Sequence, residues 1–123
     1  MASESTVVPF ITPDIKTQAD FSGHANKVVT YGAGGPVLAT TAGSGALFVL
    51  ANKPTSGMAF SLVAAPNMAK CYADAATVRG MFAAVSATRS GYVANVGSAY
   101  GVGFLGVCLT AVASGSLVDV LLK

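Results

Sequence analysis

The stretch "YGVGFLGVCLTAVASGSLVDVLL", residues 100–122, decides the fold, and it reads three ways. Gly101, Gly103 and Gly106 spell G-x-G-x-x-G, the fingerprint of a dinucleotide-binding turn. From Ala99 to Leu122 the chain carries one charge, Asp119, over a length sufficient for a membrane-spanning helix. The same residues also split at "ASG" into two short apolar runs, as two strands joined by a turn would.

The nucleotide reading needs a strand before the glycines and a helix after them. It also needs a second parallel strand and an acid about 20 residues further on. Val107, Cys108, Leu109 and Thr110 make a poor helix start, and Asp119 falls inside a strand-like run. Only 17 residues follow Gly106, so the expectation is no crossover unit and no nucleotide. The membrane reading is weakened by Gly101, Gly103, Gly106 and Gly115, by Ser114 and Ser116, and by Asp119 within the last apolar run. Glycine does occur in membrane helices, and a single span near residues 99–122 stays as an alternative. The strand reading fits best. In "SLVDVLL", Leu117, Asp119 and Leu121 fall on one face and Val118, Val120 and Leu122 on the other.

Working outward, the same rhythm runs back to Lys27. "KVVTY", "PVLAT", "ALFVLA", "MAFSLVA", "MAKCYA", "FAAVSAT" and "YVANV" are short apolar runs separated by Gly, Pro, Asn and Ser turns. Regular short runs of this kind predict a mainly β domain over residues 27–123. One segment competes. Met68, Cys71, Tyr72, Ala75 and Ala76 follow a helical spacing, and alanine propensity predicts one short helix near residues 73–84. Two Gly-Ser turns before closing strands, in "TAGSGALFVLA" and "AVASGSLVDVLL", give a loose internal rhythm, too few to define a repeat. Residues 1–26 differ. Pro9 and Pro13 favour extended backbone, and Val7, Val8, Phe10, Ile11, Ile15 and Phe21 are more apolar than a solvated tail requires. The expectation is an extended N-terminal arm, with Phe10, Ile11 and Phe21 as candidate contacts to a neighbouring protein. The start of the arm has neither the basic nor the long apolar region of a secretory signal.

Composition narrows the function. The chain has 123 residues, of which 53% are hydrophobic and only 10% charged, against about 25% in an ordinary domain. That balance points to a subunit that covers part of its surface with neighbours. The net charge of +2 is scattered, with no basic stripe, so no nucleic-acid partner is expected. Cys71, Cys108 and the lone His24 are too few for a structural zinc site, and the two cysteines read as buried thiols. Their apolar surroundings raise rather than lower a thiol pKa. The five acids show no close pairing suited to acid–base work. No enzyme and no cofactor is expected.

Two stretches carry a family likeness. "GVCLTAVASGSLVDVLL", from Gly106 to Leu122, and "KVVTYGAGGPV", from Lys27 to Val37, resemble the closing and opening strands of the head-decoration, or capsid cement, proteins of tailed bacteriophages. The resemblance implies a compact barrel- or tulip-like β domain, often a homotrimer. It implies binding to the outer surface of the phage head after assembly in the host cytoplasm, with the major capsid protein as partner. It brings no catalytic residues, and residues 1–26 depart from many members. Another structural virion component, a tail or fibre module, is the alternative of the same class.

Overall fold

The computed structural model describes residues 9–16, 21, 23–32, 35–40, 47–53, 59–96 and 103–123. Ten strands account for its regular structure. They are β1 (Pro9–Lys16), β2 (Val28–Gly32), β3 (Gly35–Leu38), β4 (Phe48–Leu50), β5 (Ala59–Val63), β6 (Met68–Tyr72), β7 (Phe82–Val85), β8 (Val93–Val96), β9 (Phe104–Cys108) and β10 (Leu117–Leu122). Every ladder is antiparallel, and the strands form two five-stranded sheets.

The first sheet runs β1-β5-β4-β2-β3 and the second β6-β10-β9-β7-β8. Counted from its own first strand, each sheet has the same order, 1-5-4-2-3. The halves of the chain thus repeat one topology, which the two Gly-Ser turns only hinted at. The sheets are open, not closed into the expected barrel. A single parallel bridge, Ala73 to Val93, links the chain just past β6 to β8 without extending into a ladder.

Alternating side chains build the core between the sheets. Val28, Val49 and Val63 of the first sheet meet Ala69, Cys71, Val85, Leu105, Cys108, Val118, Val120 and Leu122 of the second. The partners one residue along, Val29, Leu50 and Leu62, point to the opposite face of the first sheet. There they form a second cluster with Phe21, packed against Leu38 and Phe48.

Of the N-terminal residues, β1 and Phe21 are built into the domain. β1 is the edge strand beside β5, with Phe10 opposite Leu62 and Ile11 opposite Ser61. Its register breaks between Thr12 and Lys16, around Pro13, where a residue without an amide hydrogen is tolerated. Phe21 is 7% exposed and packs in this chain's own core. The expected helix at 73–84 is absent. Residues 74–81 are irregular, and β7 begins at Phe82. Backbone partners on other segments explain this: Asp74 N donates to Val93 O, Thr77 N to Val112 O and Gly80 N to Cys108 O. These replace the local hydrogen bonds that alanine propensity favours.

The glycines of the opening stretch find their roles in β9. Gly101 lies outside the described residues. Gly103 turns the chain at φ +80°, and its carbonyl accepts from Val85 N at 2.9 Å. Gly106 lies where β9 has one residue more than β7: Ala83 faces Gly106 and Ala84 faces Phe104. This bulge lets Leu105 and Cys108, three apart, both face the core. A Cβ on Gly106 would lie 1.9 Å from the Leu121 carbonyl oxygen. Residues 104–108 and 117–122 are strands, and no helix among the described residues is long and apolar enough to cross a membrane.

Gly106→Ala is expected to cost about 3 kcal/mol or more, because β10 must shift to admit the methyl group. Gly115→Ala, at φ +85° with open space around it, is expected to cost only about 1–2 kcal/mol of backbone strain. Urea unfolding of both variants checks the ranking.

Candidate interaction surface

The outer face of the second sheet differs from that of the first. In register across its five strands stand Met68, Leu121, Val107, Phe82 and Val96, one apolar residue per strand. All five are partly exposed. Phe104 sits beside the row, its ring edge-on to Phe82 at 5.9 Å. Adjacent strands are about 4.8 Å apart, so the row spans roughly 19 Å. A further apolar group lies towards one end of the sheet, where Val78, Met81, Leu109 and Leu117 are all more than a third exposed.

On the outer face of the first sheet Leu62 stands opposite Leu50, and Val29 lies two residues along, opposite Phe48. Leu62, Leu50 and Val29 are essentially inaccessible, and Phe21, from the link between β1 and β2, packs with them beside the partly buried Leu38 and Phe48. In the second half the corresponding link, between β6 and β7, takes another course. Thr77 Oγ1 donates to Thr110 O and accepts from Val112 N, tying the link to the turn before β10. The row it could have covered stays open.

Next to the row on β6 and β10, Lys70 and Asp119 form an ion pair at 2.9 Å. Both side chains are solvated, so the pair contributes little to stability and leaves the surface neutral there. Beyond it, Tyr72 leads to a polar corner. The Tyr72 and Tyr92 rings are 5.7 Å apart. The Arg89 guanidinium lies 3.8 Å from the Tyr92 centroid and Lys27 Nζ lies 5.3 Å from it. Arg89 Nη2 donates to the Tyr92 hydroxyl at 2.8 Å, and Lys27 Nζ contacts His24 Nδ1 at 3.1 Å.

Beneath this corner, the Asp74 carboxylate accepts hydrogen bonds from the Ser86 and Thr88 hydroxyls. Ser86 Oγ in turn accepts from the Thr88 and Arg89 amides at 3.2 Å. The Ser86 and Thr88 hydrogen bonds, helped by the charge of nearby Arg89, hold the Asp74 carboxyl below its ordinary pKa. Together these hydrogen bonds tie the loop of residues 86–89 to Asp74. Among the described residues, no group of three or more His, Cys, Asp and Glu could hold a metal ion.

Cys71 and Cys108 are free and buried, as their apolar setting predicted. Burial, then the nearby Cys108 and Asp119, pushes the Cys71 thiol up to about 12, and burial raises Cys108 as well. Cys71 stands opposite Val118, and Cys108 opposite Val120, with β10 between them. Two strand spacings across and two residues along put them roughly 12 Å apart, beyond the ~7 Å reach of a disulfide.

Of the residues singled out in the sequence, Phe10 and Ile11 belong to the backbone of β1, remote in the strand order from the second sheet, and Phe21 closes the first sheet. The open row was hidden in the sequence because its members come from five strands. Only its register, set by the ladders, brings them together. No family model and no curated protein matches this chain.

Two measurements check this chemistry. A thiol-specific chromogenic reagent is expected to react negligibly with the native protein and to titrate both cysteines once it is unfolded. Asp74 stabilises the fold fully above the ordinary carboxylate pKa of about 4, and that contribution is lost as pH falls through its lowered native value. Acid unfolding of Asp74→Asn should therefore lack part of the wild-type loss below pH 4.

Proposed function

We propose that this chain is a non-catalytic structural virion protein, a decoration or cement protein that binds the outer surface of a tailed-phage head. It bridges neighbouring major capsid subunits. The carrying observation is the partly exposed apolar row of the second sheet, in contrast to Leu62, Leu50 and Val29 on the outer face of the first, against which the chain packs its own Phe21. A chain that closes one such face internally and leaves the other open is suited to receiving a neighbour there. The likeness of residues 27–37 and 106–122 to head-decoration proteins supplies the identity of that neighbour. Those stretches correspond to β2 with most of β3 and to β9 with β10. An assembly as homotrimers would repeat each modest contact by symmetry and add the contributions.

Co-sedimentation with heads purified before and after expansion tests the reading. Saturable binding to expanded heads is expected. Val107→Asp and Phe82→Ser, both on the open row, are each expected to weaken it at least tenfold while leaving the circular dichroism spectrum unchanged. A native mass of three times the 12.2 kDa chain is expected in solution. Binding to purified tails and not to heads would replace this reading with the tail-module alternative.

A further inference from the structure

The polar corner beyond Tyr72 has a composition that the open row does not explain. Two cations are held against one ring. Arg89 lies flat enough on Tyr92 for its guanidinium carbon to be 3.8 Å from the centroid, and Lys27 Nζ is 5.3 Å from the same centroid. The two distances place the cations no more than about 9 Å apart, where like charges repel, and an aromatic face offsets that only in part. The Asp74 carboxylate is engaged by the Ser86 and Thr88 hydroxyls. The ion pair among the described residues is Lys70–Asp119, and no carboxylate among the described side chains lies within pairing distance of Arg89 or Lys27.

Both cations keep donors to spare. Arg89 carries five N–H groups, and one guanidinium nitrogen is used on the Tyr92 hydroxyl. Lys27 carries three, with a contact to His24 Nδ1. Each is also held in place. The Arg89 amide donates to Ser86 Oγ, and Ser86 is almost fully buried. The Lys27 amide donates to His24 O, within the same turn whose His24 amide donates to Phe21 O. Gly91 fixes the spacing between the two. It is buried at φ +81°, its amide donates to Ala39 O, and its carbonyl accepts from Val28 N, next to Lys27. A Cβ on Gly91 would lie 3.1 Å from Lys27 Cβ.

We propose that Arg89 and Lys27, mounted on Tyr92, form a carboxylate-binding subsite for an acidic side chain of the neighbouring capsid subunit. The proposal rests on the head-decoration reading and gives the apolar row a charged rim. An arginine stacked on a tyrosine presents a planar fork that matches two carboxylate oxygens, and the lysine adds a second positive charge at the same ring. The Tyr92 ring is covered by Arg89, so it is not free to stack a base or a sugar. Two cations alone fall short of the phosphate contacts a nucleic acid requires. A charge at the rim of an interface governs encounter rate and salt dependence more than final affinity.

The test uses the whole chain and two probes. Arginine side-chain NMR signals are followed while a peptide carrying three glutamates is added, with its glutamine counterpart and inorganic phosphate as controls. Saturable movement of the Arg89 Nε–Hε signal by the glutamate peptide alone is expected, and its loss in Lys27→Met. Equal movement by phosphate or by the glutamine peptide overturns the carboxylate assignment. In the second arm, association with expanded heads is timed at several salt concentrations. Arg89→Gln is expected to slow it about tenfold and to flatten its salt dependence. Unchanged rate and salt dependence in Arg89→Gln overturn the proposal while the head-decoration reading stands. Absence of wild-type binding to heads removes that reading, and with it the capsid partner proposed here; the peptide titration then reports on the carboxylate site alone.

Discussion

The space between the two sheets is filled by short side chains, and the rest of the molecule follows from that. Among the described residues this inner cluster comprises seven valines, four alanines, two cysteines and two leucines, with no aromatic ring. Such a layer is thin and tolerates little change, since a single methylene is felt in a close-packed interior. Gly106 shows how tight it is at β9 and β10. Rings that cannot enter are placed on the outside of the sheets. Phe21 and Phe48 cover one side, Phe82 and Phe104 decorate the other, and Tyr72 and Tyr92 stand at a corner. The large, sticky side chains are thereby left where a second protein can reach some of them.

The two outer faces show what this arrangement leads to. They arise from the same strand order and the same apolar alternation, and they differ in the course of one link. In the first half the link delivers an aromatic ring onto the face. In the second half it is drawn away by hydrogen bonds to the turn before β10. A difference in a few loop residues thus separates a closed structural face from an open one.

Much of this was legible in the sequence. The apolar runs from "KVVTY" to "SLVDVLL" mark strands because a half-buried strand needs alternation and a turn residue at each end. The thiols read as buried because free cysteine is among the most buried residue types and the runs around Cys71 and Cys108 are mostly apolar. Other features depend on partners far along the chain. Pro9 and Pro13 disguised β1, since prolines exclude a central strand but are compatible with an irregular edge. Ala75, Ala76 and their neighbours favour a helix locally, and hydrogen bonds from the Asp74, Thr77 and Gly80 amides to the carbonyls of Val93, Val112 and Cys108 override that preference. Phe21 was legible as apolar, but nothing in its surroundings could say whose surface it covers. The charged corner joins residues 24–27, 72–74 and 86–92, which no spacing rule connects.

The division of the strands between the two halves has a consequence for synthesis. Every ladder of the first sheet lies within residues 9–63, and every ladder of the second within residues 68–122. A ribosome releasing the chain from its N-terminus delivers all partners of the first sheet before β6 emerges. That sheet can zip up co-translationally, with loops short enough to close cheaply. Its inner valines, Val28, Val49 and Val63, then wait as a template on which the second sheet condenses. The order of translation and the order of assembly coincide, and the nascent chain is left with one exposed apolar layer rather than a set of unpaired strands.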